Sequence, residues 1–480
     1  MQIKKRDINK TLIAFLFAHF FVWTLIPSIS NTNLPLDTIE ALAWGSNLEW
    51  GFNKHPPLSA LFPTIFFKIF ESQDWAYYLL SQLFVVFTFF IIFKFSEDFF
   101  KDKTYSLISI LLLEGIYFYN FTTPEFNVNV CQLPFWALTV YFCWKSIKQD
   151  DIKSWILFGL FAALGVLSKY LFFYLIIAIK IFFIRVLLKK KKINLKYFIP
   201  GIVCILVLAP HVIWLTENNY ITLNYALERT ELGESNYWNH LLYPLIYLGK
   251  QIGVIIPFII MFLFTISKFK AKFKLRDERL IFLLAINLIP IILMFLTSLI
   301  MGVKIRTMWM TPFYLFSGVL FIYVFQNKIV LHKLKYFFSV FLIMFISFPV
   351  GYLYISVSQT DKRTDYPGKE IAKSVETEWN KIIKKNEKKI KRKSIDFVGW
   401  DEWYAGNLSY NLKGTTVLME NWIDKLLETE DKNYVLIEKK DSPKKTCALV
   451  KQKPHLFLTN YLMIKGHHVC FISNLKWMSK

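Results

Sequence analysis

The stretch that decides how this chain is read is LPLDTIEALAWGSNLEWGFNKHPPL, residues 34–58. It follows directly on a strongly apolar segment, Thr11 to Ser28. Two acids (Asp37 and Glu40), several tryptophans and a His-Pro-Pro turn therefore lie at a membrane surface. Ionisable groups held that close to a bilayer are expensive and tend to mark a site. Asp37 and Glu40 are three residues apart, so on a helix they share a face, while Ile39, Leu42 and Ala43 turn toward lipid or core. Pro35 suits a helix start, where acids also favour the helix dipole. Two readings stay open for the pair: acids that merely decorate a helix N-terminus, and acids that serve as general base or metal ligand. Downstream, His55-Pro56-Pro57 is a rigid turn that holds Lys54 and His55 at the same surface.

Outward from this stretch, the composition leaves one broad class. The chain has 480 residues, is 55% hydrophobic and 18% aromatic, and carries a net charge of +22. A soluble protein of this size cannot hide so much apolar surface. Runs long enough to cross a bilayer as helices fall near 11–29, 75–94, 104–120, 127–145, 154–168, 170–188, 196–215, 244–267, 280–300, 307–326 and 335–356. That is eleven spans. The shorter run 57–71, with Pro63 inside it, reads as a helix in the interface. The fold expected is a polytopic α-helical membrane protein with about eleven transmembrane helices and a small C-terminal α/β domain. The domains fall at 1–356 and 357–480, with a long first external loop at 30–74.

Lysine and arginine set the expected orientation. Lys4, Lys5 and Arg6 place the N-terminus inside, and the loops with Lys101/Lys103, Lys145/Lys148, Lys189–Lys192, Lys268–Arg276 and Lys328–Lys335 then also fall inside. The C-terminal domain lies outside, its Lys381–Lys393 run reading as a solvated helix face or an attraction to anionic headgroups. No small-residue cleavage site follows the first span, which reads as uncleaved. Cys131, Cys143 and Cys204 lie in spans. Cys447 and Cys470 lie in the C-terminal domain, where they are either a disulfide pair or two unrelated buried thiols. Beyond 357, a charged helix over 367–393 leads into SIDFVGW, TTVLM, YVLIEK and HHVCFISNL as strands, with EWYAGNLSYNL and NWIDKLLE as helices between them.

Other polar residues cluster at the expected outer ends. Glu125, Asn127, Asn129 and Gln132 follow one another at the mouth of the fourth span, as a wet cavity or an interhelical hydrogen-bond cluster. Lys169 sits in a tight turn between spans, and Lys304 and Arg306 sit in the loop GVKIRTMWM. The short outer loops otherwise lack positive charge. An anion such as a lipid phosphate accounts for all three through charge-assisted hydrogen bonds, and snorkelling accounts for them without one. The loop 217–243, with Glu217, Glu228, Arg229, Glu231 and Glu234, reads as a cover for a site.

The stretch 34–58, TPEFNVNV (123–130) and KIRTMWM (304–310) resemble the bacterial branch of the GT-C glycosyltransferases, which include protein O-mannosyltransferases and lipid A aminoarabinose transferases. The pattern W-G…W-G-F-x-K-H-P-P-L is similar to enzymes that add galacturonic acid or galactosamine to lipid A or its core. The resemblance covers about 1–325 and reaches WDEWYAGNLSYNL (400–412). It implies an undecaprenyl-phosphate sugar donor, transfer with inversion on the periplasmic face of the bacterial inner membrane, and lipid A or lipopolysaccharide core as acceptor. It also implies Asp37 as general base with Glu40 as its neighbour. Glu125 falls at a second acidic position where many relatives carry Asp. Arg306 and Lys169 match cationic positions that hold the donor phosphate, with Lys54, His55, Asn127 and Lys304 as further substrate contacts. A divalent metal ion, held by Asp37 and Glu125, stays open as a cofactor. Membrane lipids are expected partners and nucleic acid is not. Two other functions stay open: transfer to protein hydroxyls, and a flippase or transporter of a lipid-linked sugar. The latter calls for midplane charges and internal repeats, whereas here the ionisable residues gather at span ends.

Overall fold

The computed structural model describes the chain except residues 1–4, 191–193, 231–235, 270, 272–275, 331–332, 388–389, 391, 414, 420–431, 440–455 and 475–480. Its helices, in chain order, are α1 (Lys5–Ser30), α2 (Leu36–Gly45), α3 (Leu58–Phe70), α4 (Asp74–Ser96), α5 (Lys103–Leu111), α6 (Val128–Cys131), α7 (Leu133–Gln149), α8 (Ile152–Ser168), α9 (Phe173–Lys190), α10 (Ile199–Glu217), α11 (Ile221–Glu228), α12 (Asn239–Leu263), α13 (Glu278–Met301), α14 (Ser317–Phe325), α15 (Leu334–Ser358), α16 (Gly368–Lys385) and α17 (Glu402–Leu412). The strands are β1 (Phe397–Trp400), β2 (Thr416–Met419), β3 (Asn433–Lys439), β4 (Leu456–Ile464) and β5 (His467–Asn474).

Two compact units result. The first comprises residues 1–28, 50–59 and 78–356; the second comprises 29–49, 60–77 and 357–480. Besides residues 357–480, the second unit takes in α2 and most of α3. The opening stretch is divided between them. Asp37 and Glu40 belong to one unit, and Lys54 and His55 to the other.

The first unit is a membrane bundle. Among the described residues seven helices are long and apolar enough to cross a bilayer, and the pair Thr307–Tyr314 and Ser317–Lys328, bent by 50°, is either a broken eighth span or a re-entrant loop. The expected spans at 104–120, 127–145 and 154–168 are realised as shorter helices. α5 runs for 9 residues before tightening into a 3₁₀ turn at Leu112–Gly115, and α7 and α8 have 17 residues each. The 3₁₀ turn coincides with Glu114, and α6 starts late because Asn127 caps it. The Asn127 carboxamide accepts from the Asn129 and Val130 amides at 2.9 and 3.2 Å. Glycines let backbones meet. A Cβ on Gly159 would stand 2.6 Å from the Pro200 carbonyl oxygen, and one on Gly115 2.6 Å from the Phe258 backbone.

The second unit holds a five-stranded mixed sheet of order β2-β1-β3-β5-β4, parallel across β2, β1 and β3 and antiparallel beyond. α16 and α17 bury Ile371, Val375, Trp379, Ala405 and Leu408 against Val398, Val435, Ile437, Val469 and Phe471 of the sheet. β4 was not anticipated. It pairs with β5 through the two-residue turn Lys465-Gly466, both at positive φ (45° and 76°), the backbone of a tight hairpin. The helix expected at NWIDKLLE (421–428) lies outside the described residues. Cys470 is disulfide-bonded and Cys131, Cys143 and Cys204 are free; Cys447 also lies outside the described residues.

Candidate functional site

α2 forms as its sequence predicts. Pro35 occupies the N-cap in extended conformation and Asp37 falls in the first turn. Ile39 and Ala43 are fully buried, whereas Asp37 and Glu40 are half-buried.

In the membrane unit a cavity of about 520 Å³ is lined by Tyr117, Thr122, Arg229, Lys250, Lys304, Ile305, Arg306, Thr307 and Met308. Four of these carry positive charge and none is an acid. Lys304 and Arg306 were expected at an anion. Arg229 was noted only as part of a covering loop, and Lys250 was missed. The signal for Lys250 was nonetheless present: it is an ionisable residue on an apolar 25-residue span, which is costly unless it faces a polar space.

The walls of this cavity are tied together. Tyr117 and Thr122 lie on the loop between α5 and α6. The Tyr119 hydroxyl donates to the Thr311 carbonyl at 2.8 Å, joining that loop to the segment of Thr307 and Met308. Tyr314 donates to the Gln251 carboxamide oxygen at 2.8 Å, beside Lys250. Behind the loop stands a buried polar network. His19 of α1 pairs through Nδ1 with the Glu114 carboxylate, both side chains being almost fully inaccessible. The Asn120 amide nitrogen donates to the Glu114 carboxylate at 3.1 Å and to its carbonyl at 2.9 Å. The Thr123 hydroxyl donates to the Asn120 carbonyl at 2.7 Å and accepts from Gln82 of α4 at 3.0 Å. Ser81 donates to the Thr123 carbonyl. Nothing in the sequence singled out His19 or Glu114, which lie 95 residues apart.

The Trp50–Ser59 segment is anchored on α10 and α11. His211 Nδ1 donates to the Trp50 carbonyl at 2.5 Å and Thr222 to the Phe52 carbonyl at 2.5 Å. A Cβ on Gly51 would overlap the Trp214 ring, so only glycine fits there. His55 rests edge-on against Tyr225, with 6.3 Å between ring centroids. Burial, and then the charges of Lys169, Lys54 and Arg229, push its imidazole down from 6.5 to about 3. His55 is therefore neutral at physiological pH, and positive charges surround it. Lys169 is itself buried. Its ammonium donates to the Asn129 carboxamide oxygen at 2.5 Å and lies 5.7 Å from the Trp309 ring centroid. Asn127 spends its carboxamide on capping α6, and Glu125 is a half-buried loop residue between Pro124 and Phe126.

Among the described residues no three His, Cys, Asp or Glu side chains converge as a metal ion requires, and Asp37 and Glu125 fall in different units.

Residues 54–214 match the family described as dolichyl-phosphate-mannose-protein mannosyltransferase. No curated protein matches the chain. Among solved structures the chain is similar to ArnT from Cupriavidus metallidurans bound to undecaprenyl phosphate, at 10% identity and TM-score 0.60, covering 96% of this chain and 97% of that one. The apo state of the same protein gives 11% identity and TM-score 0.59, with 98% of each chain covered. The Archaeoglobus fulgidus oligosaccharyltransferase tethered with an acceptor peptide gives 12% identity and TM-score 0.51, covering 92% of this chain and 70% of that one. These likenesses establish the fold over nearly the whole chain, and the family match adds the segment from Lys54 through α10. The chain is a multi-pass membrane protein with the fold of the GT-C glycosyltransferases.

Proposed function

We propose that the chain is an inverting glycosyltransferase that moves a sugar from an undecaprenyl-phosphate-linked donor to lipid A or lipopolysaccharide core, on the periplasmic face of the bacterial inner membrane. The observation that carries this reading is the cavity bearing Arg229, Lys250, Lys304 and Arg306, with no acid among the described residues that line it. Such a site suits a phosphate ester at a membrane surface. The undecaprenyl phosphate bound to the similar ArnT structure supports the same donor class. The disulfide at Cys470 supports an oxidising compartment for the second unit.

In this reading the bond between the anomeric carbon and the donor phosphate oxygen breaks, and a bond from that carbon to an acceptor oxygen forms. The cations stabilise the phosphate as it departs with the bonding electron pair. Each well-placed donor contributes about 3–4 kcal/mol. Asp37 takes the proton of an acceptor hydroxyl, a role that supplies roughly 100- to 10,000-fold. Glu40 supports the helix beside it. An acceptor phosphate would already be nucleophilic, and Asp37 would then position substrate only. Lys169 and neutral His55 act as fixed polar contacts, Lys169 as a cation and His55 as a hydrogen-bonding group.

The test compares lipid A and core masses between a deletion strain and its parent, then after complementation with Asp37→Asn. Loss of one sugar mass on deletion, not restored by Asp37→Asn at equal membrane level, is the expected result. Unchanged masses on deletion would sink the acceptor assignment. The mannosyltransferase family match favours a second reading, transfer to protein hydroxyls. It predicts unchanged lipopolysaccharide and loss of hexose from membrane or secreted proteins.

A further inference from the structure

We propose that the C-terminal unit is a positioning part of the active site: α17 sets the pose of the acid-bearing helix α2, and Gly406 is the point at which that pose is fixed. The proposal rests on the reading of Asp37 as the general base.

The sequence places α2 more than 300 residues from the C-terminal sheet, yet the two form one compact unit. α2 is held along its length. Before it, the Thr32 and Asn33 amides donate to the Thr364 carbonyl at 3.1 and 2.9 Å. At its centre it crosses α17 at Gly406. A Cβ there would stand 2.9 Å from Ile39 Cγ2, 3.1 Å from Ala43 Cβ and 3.2 Å from the Ile39 carbonyl oxygen. At its end the Trp44 indole N–H donates to the Glu402 carboxylate at 3.3 Å, and the Val417 amide of β2 donates to the Ser46 hydroxyl at 2.8 Å. Ala43 belongs to the same buried cluster as Ile371, Trp379 and Leu408. Its exposure is 1% and that of Ile39 is 0%.

At about 100° per residue, Ile39 and Ala43 face α17 while Asp37 lies roughly opposite, where it is half-buried. Any displacement of the Ile39/Ala43 face therefore carries the Asp37 carboxylate with it. A methyl at Gly406 forces the facing atoms of α2 to give by a few tenths of an ångström, because all three contacts are tighter than ordinary van der Waals distance. A misplacement of about 1 Å costs about 100-fold when the displaced group must meet a reacting atom, and a fraction of an ångström costs part of that. α17 is the WDEWYAGNLSYNL segment that stood out in the sequence without a role.

The test uses the full-length protein in the deletion strain. The rate at which modified lipopolysaccharide appears after induction is read by mass at matched membrane levels, beside the thermal stability of the purified protein. Gly406→Ala is expected to lower the rate by part of that about 100-fold with unchanged thermal stability. Ile39→Ala added to Gly406→Ala removes the opposing methyl and is expected to restore most of the rate. Trp44→Phe keeps an aromatic ring but loses the indole N–H, and is expected to lower the rate by a smaller factor, whereas Glu402→Gln keeps an acceptor and stays close to the parent. A full rate in both Gly406→Ala and Trp44→Phe overturns the proposal. So does a rate loss that follows thermal stability and is not relieved by Ile39→Ala. An active Asp37→Asn protein overturns instead the catalytic reading on which it stands.

Discussion

Replacing Glu114 with alanine tests whether the buried network behind the cationic cavity is a structural brace. The carboxylate faces two partners, His19 Nδ1 and the Asn120 amide nitrogen, the latter at 3.1 Å. His19 and Asn120 are fully buried, and Glu114 is 1% exposed. His19 Nε2 already has no partner among the described residues, so the ring has no alternative bond to fall back on. Alanine strands His19 Nδ1, whereas the Asn120 nitrogen loses one acceptor and keeps the carbonyl of residue 114. Each stranded buried group costs about 1–3 kcal/mol. Hydrogen bonds inside membrane bundles average nearer to about 0.6 kcal/mol, because the unfolded chain in the membrane also finds partners. The expected loss is therefore about 1–3 kcal/mol. Glu114→Gln keeps a carbonyl oxygen for Asn120 and offers an amide to His19, and should cost less than about 1 kcal/mol. The assay is reversible unfolding in detergent, followed by donor binding, because Tyr117 and Thr122 hang on the same loop. An alanine variant as stable as the parent would refute the brace. A glutamine variant as unstable as alanine would refute the hydrogen-bond account and leave charge as the cause.

Three further outcomes are expected. Arg306→Ala should lower kcat/KM about 100- to 1,000-fold if it holds the departing phosphate, and Arg306→Lys should recover only part of this, since lysine lacks the bidentate fork; steady-state kinetics on vesicles decide. Lys250→Met should weaken binding of undecaprenyl phosphate while leaving insertion and folding intact, and equal affinity would remove Lys250 from the site. His55 is pushed down to about 3 in the folded protein from an ordinary 6.5, so its protonation favours the unfolded state. Its contribution is complete above pH 6.5 and is lost as the pH falls toward 3. At pH 5 the loss is up to about 2 kcal/mol, less for whatever water reaches the ring. His55→Gln should flatten stability between pH 7 and 5, and an unaltered slope would show that another group titrates.

The sequence was most legible where chemistry is local. Pro35 followed by an amphipathic run predicted α2, and seven of the apolar runs became full-length helices. It was least legible where distant parts meet. Eleven uniform spans were expected, but Glu114, Asn120 and Asn127 interrupt the region 112–128. Their polar side chains are satisfied by capping and by α1 and α4 rather than by a continued helix. Lys250 does not stand out in the sequence because a single lysine leaves the 25-residue apolar run of α12 unbroken. β4 was missed because Lys465-Gly466 is a weaker turn signal than Asn-Gly, and only the positive φ angles make it a hairpin.

Hydropathy and charge placement, which depend only on neighbours along the chain, were enough to determine a membrane protein with acids on a short helix and cations in particular loops. Which cations converge was decided by tertiary structure alone. Arg229, Lys250 and the Lys304/Arg306 pair come from three separate stretches of the chain and share a cavity only because α12, the loop after α5 and the segment after α13 are pinned together. The allegiance of α2 was decided the same way. Its acids are legible in residues 34–45, but their pose depends on a glycine more than 360 positions later, whose missing side chain lets two helices touch.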